Sequence, residues 1–140
     1  MISSTYAIEL LKKALEIYTP SRSEAQLANL IKEKCLDDLG FEKVSIDSVG
    51  NVIATKGSGS PRILLCGHMD TVPGHIPVRI DSGFLLGRGA SDAKAPLISM
   101  LLACSELRSW SKINCLLITQ YLENLVELIK LPYLIREGLH

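Results

Sequence analysis

The sequence predicts an α/β layer fold. Two observations carry that expectation: hydrophobic spacing alternates between a helical repeat and a two-residue repeat along the chain, and short continuous apolar runs are bounded by loop residues. With 140 residues, the chain has room for one core and not for two.

Ile8, Leu11, Leu15 and Tyr18 recur at helical spacing, and Pro20 disfavours helical geometry in the residue before it, so a first amphipathic helix ends near Thr19. Ser21 to Glu24 offers a capping box ahead of Leu27, Leu30, Ile31 and Cys35, which predicts a second helix closed by Gly40. From Phe41 the period changes to two, setting Val44 and Ile46 on one side of a strand. A turn over 48–50 leads to a second extended run from Asn51 to Ala54, and Gly57 to Ser60 is a loop by composition.

Ile63 to Cys66 is a short apolar run, the pattern of a strand buried on both faces in a parallel sheet. Gly67, His68, Met69 and Asp70 therefore fall at its C-terminal end, where open α/β sheets build ligand sites. Val78 to Ile80 and Phe84 to Leu86 flank Asp81-Ser-Gly83, a β-hairpin with Gly83 at positive φ. The glycine-bearing loop from Gly87 to Asp92 precedes a third helix marked by Leu97, Met100, Leu101, Cys104 and Leu107, with Pro96 in its first turn. A last buried strand is expected from Ile113 to Thr119.

Lys plus Arg equal Asp plus Glu at 15 each, so no net field draws the chain to nucleic acid or to an anionic membrane. Charged residues interrupt the apolar pattern of the first twenty positions, which excludes a signal-peptide core or a membrane span there. Cys35, Cys66, Cys104 and Cys115 are widely spaced in apolar stretches and read as buried thiols of a cytoplasmic protein.

His68 and Asp70 stand one residue apart at a strand end, and Asp92 stands where a loop meets a helix. Imidazole and carboxylate are ordinary zinc ligands, and a ligating His is usually oriented by a carboxylate behind it. Taken alone, the pattern is better explained by a satisfied core histidine with Asp92 as a helix cap.

Two motifs in order weigh against that bland reading. Cys66-Gly-His-Met-Asp-Thr-Val-Pro-Gly74 and Gly87-Arg-Gly-Ala-Ser-Asp-Ala-Lys94 resemble the two metal motifs of the dinuclear-metal amidohydrolase family of aminoacylases, acetylornithine deacetylases and succinyl-diaminopimelate desuccinylases. The resemblance implies a three-layer mixed sheet with helices on both faces, forming part of a dinuclear zinc hydrolase catalytic domain. It implies His68 as ligand to one metal, Asp92 as the bridge between two zinc or cobalt ions, and Asp70 as the catalytic residue that holds and polarises His68. Arg88 and Lys94 are assigned to loop structure and solvation. Ala95 stands where the family has Gly, which adds strain if that backbone needs positive φ.

The short spacer from His75 to Leu86 and the run from Ala95 to Met100 look most like the lysine- and ornithine-releasing hydrolases of amino-acid biosynthesis, whose substrate is a small-molecule or carrier-protein-linked N-acyl amino acid. Complete members of the family are expected to be homodimers.

The similarity covers about residues 4–119. After the last strand the family has a Glu-Glu pair, as general base and metal ligand, where this chain has Gln120-Tyr-Leu-Glu-Asn124. Residues 1–119 are therefore expected to be the N-terminal part of the catalytic domain, and 120–140 an aberrant tail, frame-shifted or truncated, in a chain inactive by itself. Other readings are a non-catalytic fragment that assembles with a separately encoded C-terminal half, and a nucleotide-binding module. The last is disfavoured because Asp92 occupies the third glycine position of Gly-x-Gly-x-x-Gly.

Overall fold

The computed structural model describes residues 1–107 and the strand 114–120. The helices are α1 (Ser4–Glu16), α2 (Ala25–Asp37) and α3 (Lys94–Ser105); the strands are β1 (Lys43–Ile46), β2 (Val52–Lys56), β3 (Arg62–His68), β4 (Arg79–Asp81), β5 (Phe84–Leu86) and β6 (Asn114–Gln120).

Four strands form a mixed sheet in the order β1-β2-β6-β3, and β4 with β5 forms a separate hairpin. β2 pairs antiparallel with β1 and β6, whereas β3 and β6 run parallel, with His68 opposite Gln120 at the shared end. The β3-α3-β6 path is the crossover that a parallel pair requires. This is the α/β architecture that the alternating periodicities predict, with the mixed sheet that the resemblance implies.

Ser3 caps α1 by accepting from the Tyr6 amide, and the helix stops at Ile17, whose backbone is extended. The inward face of α1 differs from the expected stripe: Leu10, Ala14 and Leu15 are buried, while Ile8 and Tyr18 are exposed. Apolar residues occupy more than one side of α1, and contact with α3 decides which of them is covered.

The second helix begins three residues later than a capping box at Ser21 requires. Its N-cap is Glu24, which makes no side-chain cap bond; the Glu24 carboxylate is fully buried and accepts from the Arg22 amide at 3.1 Å. Leu27, Ala28, Ile31 and Cys35 are buried as the spacing predicts, and Gly40 closes the segment with φ +60°.

All three helices and β2 meet in one core, built on Leu10, Leu27, Ile31, Val52, Ala54, Leu97 and Leu101. β3 departs from expectation. Its parallel pairing with β6 holds, but it is the outer strand among the described residues, and Ile63 and Leu64 are 42% and 41% exposed. An apolar run records what a strand can be buried against, not whether a neighbour lies beside it.

The cysteines also differ among themselves. Cys35 is buried and burial pushes its thiol up to about 12, Cys66 is an exposed thiol where a buried one is expected, and Cys104 is disulfide-bonded instead of being a thiol. Ala95 is the second residue of α3, a right-handed backbone that alanine adopts without strain. The part of the expected tail that follows Gln120, Glu123 included, lies outside the described residues.

Two stability measurements follow from the core. Leu101→Ala, at a fully buried site, is expected to lose about 2–5 kcal/mol in chemical denaturation, the usual cost of such a cavity. The raised Cys35 pKa means that the folded state holds its proton more tightly than the unfolded chain does. Wild type should therefore lose stability relative to Cys35→Ala as the pH rises from about 9 towards about 12, with no such divergence below that window.

Candidate functional site

The β3 strand delivers His68 to its C-terminal end, and the chain then folds Asp70 back behind the imidazole. Nδ1 of His68 lies 3.0 Å from Asp70 Oδ1 and 3.1 Å from the Asp70 carbonyl oxygen. Both neighbours are acceptors, a pairing that a proton on Nδ1 satisfies twice over. On the far side, Nε2 lies 3.0 Å from Asp92 Oδ1.

That contact is the informative one. With the proton on Nδ1, the Nε2 lone pair of a neutral imidazole faces a carboxylate oxygen, and two acceptors at 3.0 Å repel unless a positive charge lies between them. A proton satisfies this by making imidazolium; a divalent cation satisfies it by taking one bond from each atom. Ligand bonds of about 2.0–2.2 Å, typical of zinc with nitrogen and oxygen, allow the two atoms this separation. The donor set therefore fits a borderline metal ion. Among the described residues no group of three or more His, Cys, Asp or Glu side chains is placed to hold one.

Asp92 is not a helix cap. The N-cap of α3 is Ala93, which makes no side-chain cap bond, and the Asp92 side chain is 86% exposed, with one carboxylate oxygen on His68. His68 and Asp70 are more enclosed, at 28% and 10%.

Three residues have tasks that the sequence assigns elsewhere or does not reveal. Ser21, expected at a helix cap, donates to Asp70 Oδ2 at 2.7 Å. Thr19, fully buried, donates to the Met69 carbonyl at 2.8 Å, and the Thr71 amide donates to the Thr19 carbonyl at 2.7 Å. Lys94, expected in solvent, is 1% exposed; its ammonium donates to the Ile17 carbonyl, and burial lowers it to about 8. Buried hydroxyls and one buried lysine inside the motifs are the signal, but their partners are about 50 to 77 residues distant, beyond any local pattern. Arg88 meets its expectation, its Nε donating to the Gly74 carbonyl at 2.8 Å so that one motif loop braces the other.

Glycine is required at Gly89 and is closely packed at Gly67. Gly89 has φ +89°, and a Cβ on it would meet Lys94 Cγ and Cδ at 3.0 Å. A Cβ on Gly67 would meet the Met100 methyl at 2.8 Å, so α3 lies directly on the strand one residue before His68. The site opens into a cavity of about 1170 Å³, walled by His68, Asp70 and Asp92 on one side and by Ile76, Phe84 and Leu85 from the hairpin region on the other.

The chain is similar to known proteins in sequence and in fold. Residues 64–125 match the family model described as Peptidase family M20/M25/M40. A protein of Deinococcus radiodurans named LysW-lysine hydrolase is 41% identical over 102 residues, which is 72% of this chain and 28% of that protein. A LysW-lysine/LysW-ornithine hydrolase of Saccharolobus solfataricus is 43% identical over 97 residues, 69% of this chain and 27% of that one. A Pyrococcus furiosus protein provisionally given the same name is 51% identical over 106 residues, 76% of this chain and 32% of its own length. The chain thus spans about a third of the length of the curated relatives it matches.

Among solved structures, the M20 family metallo-carboxypeptidase Sso-CP2 of Sulfolobus solfataricus superposes with a TM-score of 0.72 at 22% identity, over 86% of this chain and 31% of that one. The YXEP protein of Bacillus subtilis, described as a dinuclear metal-binding peptidase of the M20 family, gives 0.61 at 18% identity, over 91% and 40%. At these identities the likeness is one of fold.

Gly89→Ala is expected to destabilise by more than about 1 kcal/mol, since it combines a left-handed backbone with the Lys94 contact. Asp92→Asn, exposed and capping nothing, is expected to stay within about 0.5 kcal/mol of wild type. Paired urea titrations check both, and a large loss in Asp92→Asn would give that side chain a structural task.

Proposed function

We propose that this chain, similar over residues 64–125 to Peptidase family M20/M25/M40, is the N-terminal part of such a catalytic domain and supplies half of a metal centre for hydrolysis of an amide that releases lysine or ornithine. The observation that carries the proposal is the His68 Nε2 to Asp92 Oδ1 contact at 3.0 Å with Asp70 occupying Nδ1. His68 and Asp92 would hold the metal, Asp92 in the family's shared-carboxylate role, and Asp70 would orient His68 and raise its basicity. The same reading assigns residues 1–119 to the catalytic domain and sets 120–140 apart.

Bound there, two zinc or cobalt ions supply Lewis-acid activation of water and of the amide carbonyl. The chain's own part is geometric. His68 and Asp92 present nitrogen and oxygen donors from two loops braced against each other by Arg88, and Phe84 and Leu85 of the hairpin line one side of the cavity.

The names of the similar proteins support a substrate in which lysine or ornithine is joined to LysW; an N-acyl linkage and a place in amino-acid biosynthesis in the cytoplasm belong to the same proposal. We read complete proteins of this kind as homodimers, with no nucleic acid or membrane partner. Among the described residues, no helix is long and apolar enough to cross a membrane.

Two ligands do not complete a catalytic zinc site, which generally takes three protein ligands and leaves one position open. The 140-residue chain alone is therefore expected to bind Zn2+ or Co2+ weakly and to show no appreciable turnover; a non-catalytic fragment or assembly partner is the second reading, and the same shortage of ligands among the described residues favours it. Excess Zn2+ or Co2+ should raise the Tm of wild type and leave His68→Ala and Asp92→Ala unmoved. Release of lysine or ornithine from their N-acyl derivatives is assayed in parallel. Turnover that vanishes in both variants would overturn the inactivity and keep the site; turnover that survives both would overturn the site.

A further inference from the structure

The hydroxyl of Ser21 is not used where the local sequence would place it. Helix α2 starts from Glu24, so Ser21 caps nothing, and its Oγ donates instead to Asp70 Oδ2 at 2.7 Å. The other oxygen of the same carboxylate lies on His68 Nδ1 at 3.0 Å, and Nε2 of that ring faces Asp92. Three side chains thus stand in series, and the series ends at the nitrogen that faces the cavity.

Holding the connector in place does not require this bond. Its neighbours already do so: the Thr71 amide and hydroxyl both donate to the Thr19 carbonyl, the Thr19 hydroxyl donates to Met69, and Pro20 bridges to Thr71. What the Ser21 bond adds is control of the carboxylate plane. A terminal carboxylate torsion is broad, and one oxygen held at Oδ2 restricts where the other can lie. The fixed Oδ1, together with the Asp70 carbonyl, then selects the ring proton's position.

We propose that Ser21 is a positioning residue which, acting through Asp70, holds His68 in the Nδ1–H tautomer with the Nε2 lone pair presented towards Asp92 for a divalent cation. The inference rests on the assignment of such an ion to His68 and Asp92, but its first consequence, the tautomer, is measurable without metal. The partners that orient a ligating histidine commonly affect metal affinity by about 10–100-fold, and Ser21 is one bond further out, so about the lower end is expected.

The test is long-range 1H–15N NMR of the His68 ring in the 140-residue chain, recorded metal-free and through a Zn2+ titration, for wild type, Ser21→Ala, Ser21→Thr and Ile31→Val. His68→Ala identifies the signals. Ser21→Ala should turn a single Nδ1–H pattern into a mixture of tautomers and weaken Zn2+ binding by about tenfold. Ser21→Thr, which keeps the hydroxyl at an exposed position, should restore both, and Ile31→Val, which loosens the core without touching the series, should change neither. A Ser21→Ala spectrum and affinity equal to wild type would overturn the proposal, as would failure of Ser21→Thr to restore them or an equal change in Ile31→Val. A wild-type His68 signal that ignores Zn2+ while its tautomer still depends on Ser21 would overturn the cation reading and leave the positioning role standing.

Discussion

The site depends on one constraint: the connector between α1 and α2 is bonded to the end of β3, about 50 residues away in sequence. Thr19 gives its hydroxyl to Met69 and its carbonyl to Thr71, and those bonds fix the backbone on both sides of Asp70. From the same connector Ile17 offers its carbonyl to the ammonium of Lys94, which anchors the second loop. Two loops that share no hydrogen-bonded strand are thereby referred to one short piece of chain. The approach of His68 to Asp92 is a consequence of that common anchor.

The arrangement runs against the simplest rules of stability. A lysine with 1% exposure is desolvated strongly enough to lower its pKa to about 8, and the carboxylate of Glu24 is buried with its Oε2 unpartnered among the described residues. Burial of such groups is costly unless their bonding is complete, and a core built for stability alone would carry leucine or methionine there. Departures of this kind collect where geometry serves chemistry. Lys94 closes the second motif and Glu24 lies three residues from Ser21, whereas the central cluster of the core is apolar.

Much of this was legible in the chain itself. The hairpin is an example: Asp81-Ser-Gly83 calls for positive φ at Gly83, which adopts +85°, and the structure adds Ser82 at +50°. The proximity of His68, Asp70 and Asp92 followed from motif order and from the rule that loops at strand ends share a crevice. What could not be read was long-range polar partnership. Ser21 before Glu24 has the local form of a helix cap, and only the fold shows that the hydroxyl is taken by Asp70 instead. Lys94 carries a charge that normally means solvent, and the loop closes over it because Gly89 leaves room for its methylenes. The exposed outer strand β3 escaped for a different reason, since composition states a preference and topology decides whether it is met.

The exposure of Asp92 has a consequence for inheritance. Its side chain stands 86% in solvent, caps no helix and braces no loop, so its replacement leaves the core and the connector intact. Gly67 and Gly89 admit not even a methyl group without displacing a neighbour. Purifying selection for a folded, unaggregated chain therefore guards the glycines and is blind to the carboxylate. A lineage relieved of the reaction can lose Asp92 in one silent step and keep its scaffold. Survival of the scaffold in a descendant is weak testimony to chemistry.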